Sequence, residues 1–170
     1  MLYIATSLDG YIAAPDGDLD WLTSYEGEGD HGYGDFIEGI GALVMGSSTY
    51  ELPLGESNWP YAKPTWVFSR RELPRPEGAD VRFVSGPPER AISEIGASAG
   101  GLAIWLVGGG DLVGQFMEAG LLDEIIHFIV PKALGDGIPL FPGSVLNAFE
   151  VDSARLWPSG LTELRYRPAG

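Results

Sequence analysis

Short apolar runs, separated by turns rich in glycine and proline, recur along this chain and predict its strands. Residues 42–45 and 102–107 contain no polar side chain, which is typical of strands buried on both faces of a sheet. Segments with helical spacing follow several of these runs. The predicted strands are residues 1–7, 42–45, 65–69, 81–84, 102–107, 125–130, 149–155 and 161–167, and the predicted helices begin near Asp35, Ser47, Pro87 and Asp111.

Strand and helix alternate until the last third of the chain, where Trp157-Pro158-Ser159-Gly160 joins two strands as a hairpin. This order predicts an α/β protein with three α/β/α layers, in which a mainly parallel sheet has helices on both faces and an antiparallel C-terminal edge. Neither a repeat nor a linker is legible within residues 1–170, so we expect a single domain.

Charge and composition restrict the ligands that the chain can bind. Ten Lys and Arg against 24 Asp and Glu give a formal net charge of −14, which repels nucleic acid and anionic membranes. A ligand that carries phosphate therefore needs a local cluster of basic residues. The lack of cysteine excludes disulfides, thiolate metal sites and cysteine nucleophiles. Because neither a signal-type start nor a membrane-spanning run is legible, we expect a cytoplasmic protein with a small-molecule substrate.

The stretch SLDGYIAAPDGDLDWL, residues 7–22, carries two Asp-Gly turns and alternating aspartates. Spaced aspartates occur in EF-hand calcium loops, which also need Gly at the sixth position and Glu at the twelfth. Counted from Asp16, those positions hold Trp21 and Gly27, so we exclude a calcium loop and expect no metal site. Why two tight turns and a Trp follow the first strand is not explained by this pattern.

The stretch LAIWLVGGGDLVGQF, residues 102–116, runs from a buried strand through three glycines into a helix that ends at Ala119, with Gly120 as its C-cap. Glycine lets the backbone approach a bulky anion, and the helix start points free N–H groups at it. The dinucleotide fingerprint is excluded because its third glycine position holds Val113, and no P-loop lysine follows. A tight strand-to-helix turn without a ligand remains the alternative.

Two other strand ends carry polar residues. Gly46 follows the run at 42–45 and precedes three hydroxyl residues, which also suit an ordinary helix N-cap. Ser69 precedes the Arg70-Arg71 pair, which also suits a solvated basic loop. Because ligands of open α/β sheets bind at the carboxyl ends of strands, the helix starts suit a pyrophosphate and the arginines suit the extra ribose phosphate of NADP.

Six blocks in this order resemble the dihydrofolate reductase family, and more closely its branch with the reductase domain of riboflavin biosynthesis. The resemblance covers nearly the whole chain and implies a sheet of about eight strands flanked by helices, NADPH as cofactor and a homodimer. It also implies hydride transfer to a small pterin-like or pyrimidine-like heterocycle or to a carbonyl substrate. The blocks are SLDGYIA, PDGDLDWL, VMGSSTYE, VFSR, WLVGGGDLVGQF and PKALGDGIPLF.

The resemblance also implies roles for individual residues on the cofactor side. The opening stretch becomes a mobile lid that closes over the nicotinamide and keeps water from the hydride transfer, and the Gly108–Gly109 peptide becomes cis. The implied cofactor-binding residues are Ala5 and Ile12 at the nicotinamide, Gly46, Ser47, Ser48 and Thr49 at phosphates, Phe68, Ser69, Arg70 and Arg71 near the ribose phosphate, and Val107, Gly108, Gly109, Gly110, Asp111 and Leu112 around the pyrophosphate.

On the substrate side, the resemblance implies a catalytic carboxylate, which by its spacing is Asp30, and substrate contacts from Trp21, Phe36 and Lys63. Asp30 lies in the Gly-rich stretch 27–34 before the helix, and Lys63 stands where dihydrofolate reductases hold folate with Arg. These departures disfavour a folate substrate. The zinc deaminase domain of the bifunctional riboflavin enzyme is also excluded, because its cysteine ligands are missing.

The cofactor preference, the roles of three further residues and a rival function complete the prediction. Relatives carry Arg where this chain has Ser47, so NADPH preference is expected to depend on the Arg70-Arg71 pair. His31 is interpreted as an exposed loop residue, His127 as a strand residue facing a polar layer or a pocket, and Trp105 as core. The rival function is an NADP(H)-binding protein of the same fold without turnover.

Overall fold

The computed structural model describes most of the chain, namely residues 1–23, 25, 29–55, 59–143 and 147–169. Residues 27 and 28, at the start of the Gly-rich stretch, lie outside the described residues.

Ten strands and five α-helices are formed in the described residues, together with 3-10 turns at Leu52–Gly55 and Pro88–Arg90. The strands are β1 (Leu2–Thr6), β2 (Tyr11–Ala13), β3 (Ile40–Gly46), β4 (Thr65–Phe68), β5 (Val81–Val84), β6 (Ala103–Gly108), β7 (Ile125–Ile129), β8 (Ile138–Pro139), β9 (Phe149–Leu156) and β10 (Thr162–Pro168). The helices are α1 (Asp20–Thr23), α2 (Tyr33–Glu38), α3 (Ser47–Glu51), α4 (Ile92–Ser98) and α5 (Gly110–Glu118).

Eight of the strands form one sheet in the order β5-β4-β3-β6-β1-β7-β10-β9. The strands from β5 to β7 are parallel, and Leu2 of β1 pairs with Leu106 on one side and Ile125 on the other. Strands β10 and β9 are antiparallel and close the sheet as a hairpin whose turn is held by the Trp157 N–H donating to the Leu161 carbonyl at 2.9 Å. The predicted fold class is therefore confirmed.

Two buried clusters hold the helices on opposite faces of this sheet. On one face, Leu2, Leu106 and Val113 pack with α4 and α5. On the other face, α2 and α3 pack over a cluster that contains Tyr50 and Trp105. Trp105 is 7% exposed, so its prediction as a core residue is confirmed.

Some elements differ from the predicted ones. The two-stranded β2–β8 sheet was not predicted, because strands of three and two residues carry no measurable alternation. The helix predicted from Pro87 is split into a 3-10 turn and α4, since the N–H groups of Arg90 and Ala91 bond three residues back, to the carbonyls of Pro87 and Pro88.

Helix α2 begins at Tyr33, two residues before the predicted start. The reason is the Asp30 carboxylate, which accepts the Gly32 N–H at 3.0 Å and the Gly34 N–H at 3.1 Å and so satisfies donors of the first turn. None of the helices among the described residues has the length and apolarity needed to cross a bilayer.

Candidate functional site

A cleft of about 760 Å³ opens at the carboxyl ends of β3, β4, β5 and β6. It is where an open α/β sheet binds ligands, and its volume lies in the range of small-molecule sites. Its lining residues are Gly46, Ser47, Ser48, Thr49, Phe68, Ser69, Arg70, Val84, Ser85, Gly86, Gly109, Gly110, Asp111, Leu112, Gln115, Ile138, Pro139 and Pro142.

The turn from β6 to α5 forms the centre of the cleft. Gly108 has φ 141° and Gly109 has φ 81°, both in the region that favours glycine. The peptide between them is trans, so the predicted cis bond is wrong in this structure: the two positive φ values reverse the chain without it. A Cβ on Gly109 would lie 3.6 Å from Thr49 Oγ1, in van der Waals contact, so the turn faces the hydroxyl residues that follow β3.

The segment Ile138–Pro142 forms one wall, and it packs directly on the first turn of α5. A Cβ on Gly110 would lie 2.4 Å from the Pro139 carbonyl oxygen, so only glycine permits this approach. The Leu140 N–H donates to the Gly10 carbonyl at 3.0 Å, and β8 pairs with β2. The wall is therefore attached to the loop that follows the first strand.

The opening loop is fixed to the segment before this wall by one carboxylate. Asp9 accepts the Ser7 hydroxyl at 2.6 Å, the Gly135 N–H at 2.7 Å and the Leu134 N–H at 3.1 Å. These hydrogen bonds, from Ser7 first and then from Gly135 and Leu134, lower the pKa of Asp9 to about 2. The tight turns of the opening stretch thus serve a contact between loops that are about 125 residues apart in sequence.

The two adjacent arginines have different surroundings. Arg70 lines the cleft. Arg71 is not among the lining residues; its Nη2 lies 2.7 Å from Glu51 Oε2, in an exposed ion pair. The Ser69 hydroxyl donates to the Arg71 carbonyl and accepts the Arg71 N–H, which closes the turn between them. The cleft also contains Asp111, a carboxylate that disfavours phosphate close to its own side chain.

Several predicted cofactor residues lie away from the cleft lining. Ala5 packs with the buried cluster of Trp21, Val130 and Leu161, while Ile12 and Val107 pack against the two main clusters. Conversely, the residues that were not predicted lie at the end of β5, in the wall or, for Gln115, on α5. Ser85 follows β5 as Ser69 follows β4. This repeated serine at a strand end is the sequence signal that could have identified Ser85-Gly86. The missed lining residues are Val84, Ser85, Gly86, Gln115, Ile138, Pro139 and Pro142.

Asp30, the predicted catalytic carboxylate, is exposed and accepts two backbone N–H groups of the α2 start. These bonds, from Gly32 first and then from Gly34, lower the pKa of Asp30. A carboxylate with a lowered pKa is ionised near neutral pH and is a poor proton donor. In this structure Asp30 therefore has the surroundings of a helix cap.

The three predicted substrate residues do not meet in one place. Trp21 is 8% exposed and belongs to the cluster with Val130 and Leu161. Phe36 stacks on Tyr3, with ring centroids 4.1 Å apart, in an aromatic cluster under α2. Lys63 is half-buried at the entry to β4, where its carbonyl accepts the Thr65 hydroxyl.

The two histidines bear out their predictions in part. His31 is half-buried rather than exposed, because its Nε2 lies 2.9 Å from Ser159 Oγ and its ring contacts Trp157. His127 lies on β7 as predicted, and its Nε2 is 2.7 Å from the hydroxyl of Thr6 on β1.

The fold and the cleft define a class of proteins, and the comparison with known families agrees. A family model described as the RibD C-terminal domain matches residues 1–162. The chain belongs to the RibD C-terminal domain family, and its sheet is of the dihydrofolate reductase type, so the predicted resemblance is confirmed.

Individual relatives and solved structures cover between 83% and 99% of the chain. Uncharacterized protein YwjB of Bacillus subtilis (strain 168) is 39% identical over 142 residues, which are 83% of this chain and 81% of that protein. A crystal structure from Shewanella sp. PV-4, described as a candidate riboflavin biosynthesis protein, has a TM-score of 0.87 and 33% identity over 99% of this chain and 98% of its own. Enterococcus faecalis dihydrofolate reductase, solved with NADP(H) and RAB-propyl, shares the fold at a TM-score of 0.65 and 19% identity, over 99% of this chain and 95% of its own.

Proposed function

We propose that this protein is an NADPH-dependent oxidoreductase that transfers hydride to a small heterocycle of pterin or pyrimidine type, or to a carbonyl compound. Membership of a reductase-like family supports an oxidoreductase in general. The observation that carries the finer proposal is the cleft of about 760 Å³, in which a glycine turn faces a row of hydroxyl groups.

The groups around this turn fit a pyrophosphate. The N–H groups of Leu112 and Val113 bond to the Gly109 carbonyl, whereas those of Gly110 and Asp111 belong to the first turn, where helical N–H groups lack intrahelical acceptors. The lack of a Cβ atom at Gly109, whose Cβ position faces Thr49, lets an anion approach the turn. Across the cleft, Ser47, Ser48 and Thr49 offer hydroxyl donors.

When bound, the cofactor supplies the hydride. The protein therefore has to bind and orient the cofactor and the substrate, and to exclude water. The loop around Ser7–Gly10 is the proposed lid. It is tied to the cleft wall by the Leu140 N–H, and the Leu8 N–H donates to the Lys132 carbonyl at 2.7 Å. Trp21 is buried at the end of the loop and anchors it. This attachment is the proposed reason for the two turns and the Trp of the opening stretch.

The proposed function is tested in two steps. Titration calorimetry with NADPH and NADH measures binding, and the nicotinamide absorbance then reports NADPH oxidation with a panel of pterins, pyrimidines and small carbonyl compounds. We expect submillimolar NADPH binding and oxidation with at least one compound. Binding without oxidation across the panel favours the rival, an NADP(H)-binding protein without turnover. Absence of binding to either nucleotide contradicts both.

A further inference from the structure

Most of the basic residues of this acidic chain are already engaged. Four arginines form ion pairs and three other basic residues lie over aromatic rings. The ion pairs are Arg71–Glu51, Arg82–Asp80, Arg165–Glu163 and Arg167–Asp152. The residues over rings are Arg75 on Phe83, Arg155 on Trp157 and Lys132 on Tyr25.

Three of the ten basic residues remain, Lys63, Arg70 and Arg90. Within the described ranges, none of the three has a carboxylate partner within 4.0 Å or a ring contact. The chain has 24 acidic residues, yet neither Arg70 nor Arg90 has one as a partner within 4.0 Å in the described residues. The two unpaired arginines therefore point to an anionic ligand if they lie together.

Arg70 lines the cleft, whereas Arg90 lies beside it, next to the lining residue Gly86. The side chain of Arg90 folds over Gly86: its Cδ and Nη1 are both 3.9 Å from the point where a Cβ on residue 86 would lie. Phe68 pairs with Val84 across β4 and β5, so Arg70 and Gly86, each two residues further on, leave neighbouring strands side by side.

A short turn fixes the position of Arg90. The residue ends the 3-10 turn Pro88–Arg90, and its N–H donates to the Pro87 carbonyl at 3.2 Å. Two consecutive prolines restrict φ between Gly86 and Arg90. The backbone of Arg90 therefore has little freedom, and its side chain lies next to Gly86, which lines the cleft.

We infer that Arg90 is a specificity-determining residue of the cleft, which binds the ribose 2′-phosphate of NADPH together with Arg70. This inference rests on the proposed function and replaces the predicted Arg70-Arg71 pair, since Arg71 is bound to Glu51. A guanidinium group can donate two parallel N–H hydrogen bonds to the oxygens of one phosphate. Two arginines side by side therefore suit a dianionic phosphate.

The inference is tested by calorimetry with matched nucleotides, NADPH against NADH and adenosine 2′,5′-bisphosphate against 5′-AMP. Arg90→Ala weakens binding of the two 2′-phosphorylated ligands about tenfold, the low end for a charge-assisted hydrogen bond at an exposed site, and leaves NADH and 5′-AMP unchanged. Arg90→Lys keeps the charge without the planar fork and recovers part of the loss. Arg167→Ala, which removes one positive charge on β10, serves as the control and changes none of the four affinities.

Each other outcome has a distinct meaning. Equal affinities of Arg90→Ala and wild type for 2′-phosphorylated ligands overturn the role of Arg90 and leave the proposed function standing. An equal loss with all four ligands also overturns it, because the substitution then disturbs the cleft in general. If wild type binds none of the four nucleotides, the proposed function fails and the inference with it. Thermal melts of each variant show that the comparison is made between folded proteins.

Discussion

The Thr6 hydroxyl oxygen lies 2.7 Å from His127 Nε2, on the neighbouring strands β1 and β7. Thr6 is 1% exposed, and the residues paired with His127 across the sheet are the apolar Ile4 and Leu164. Burial among these groups lowers the pKa of the His127 imidazole below its ordinary value of 6.5. The folded protein therefore holds this histidine neutral near physiological pH.

This arrangement predicts a loss of stability in mild acid. Because the folded-state pKa of His127 is below the unfolded one, the unfolded chain binds the proton more readily. The contribution of the neutral His127 side chain to the free energy of unfolding is fully present above pH 6.5. It declines as the pH falls through 6.5 toward the folded-state pKa. Urea unfolding midpoints between pH 8 and pH 5 measure the decline, and His127→Gln is expected to flatten it.

The other histidine gives the matched control. His31→Gln removes the contact of the imidazole with Ser159 and leaves the Thr6–His127 pair intact, so the decline of stability below pH 6.5 should persist in this variant. A decline that is the same in His127→Gln and in wild type contradicts the prediction, since another group would then take up the proton.

A second prediction concerns the Asp9 carboxylate. Its folded-state pKa of about 2 lies below the ordinary 3.8, so its stabilisation is present above about pH 3.8 and is lost as the pH falls toward 2. Asp9→Asn should lower the urea midpoint at pH 7, because an amide cannot accept at both atoms, and the difference from wild type should shrink toward pH 2.

Asp16→Asn is the control for that variant, because Asp16 also accepts a backbone N–H, that of Asp18 at 3.1 Å, but only within its own turn. Its effect at pH 7 should be smaller than that of Asp9→Asn. If the two variants behave alike, the contact of Asp9 with Leu134 and Gly135 adds nothing beyond local turn structure.

The strands were predictable because their signal is local. A run such as residues 42–45 needs no distant partner to be recognised as buried, and the alternation with helices then implies a parallel sheet. The carboxyl ends of those strands also located much of the cleft, because every parallel strand delivers its next residues to the same edge. The lining residues Gly46, Ser69 and Gly109 were found in this way.

The features of the site that were not predicted depend on contacts between residues that are distant in sequence. Sequence gives no reason to separate Arg70 from its neighbour Arg71, because the difference is made by Glu51, twenty residues away. In the same way, sequence does not show that the Asp30 carboxylate accepts two backbone N–H groups at the start of α2. Arg90 stood in a predicted helix, and only the folded turn brings it to Gly86.

A third prediction tests the glycine turn. Gly109 has φ 81° and ψ 117°, which an L-residue adopts only at a cost of about 1–3 kcal/mol, and a side chain there points at Thr49 Oγ1. Gly109→Val should therefore abolish NADPH binding in calorimetry and lower the melting temperature. Gly114→Ala, on the same helix with open space around its Cβ, should keep NADPH affinity and gain up to about 1 kcal/mol of stability. A folded Gly109→Val protein with wild-type NADPH affinity contradicts the proposed cofactor site.

The last prediction is the homodimer, and the edge of the sheet gives it a location. Residues 150–156 of the edge strand β9 are all exposed, with Val151 at 61% and Leu156 at 74%. Val151 pairs with Tyr166 and Leu156 pairs with Thr162. Because Thr162 and Tyr166 are four residues apart on β10 and share a face, the paired side chains of Val151 and Leu156 lie on that same face of the hairpin. Exposed apolar side chains along an unprotected edge favour association with another strand or sheet.

Charge favours a second copy of this chain as the partner at that edge. Residues 149–168 contain three acidic and three arginine residues and are neutral, so the net charge of −14 lies entirely in the rest of the chain. Two copies can therefore approach through this hairpin with less repulsion than through any strongly acidic surface. Light scattering should give twice 18.2 kDa for wild type and the monomer mass for Val151→Glu/Leu156→Glu, whereas Leu102→Glu, at an exposed leucine elsewhere, should remain dimeric. A wild-type monomer at micromolar concentration excludes the dimer, and a dimer that survives the double substitution excludes this face as its interface.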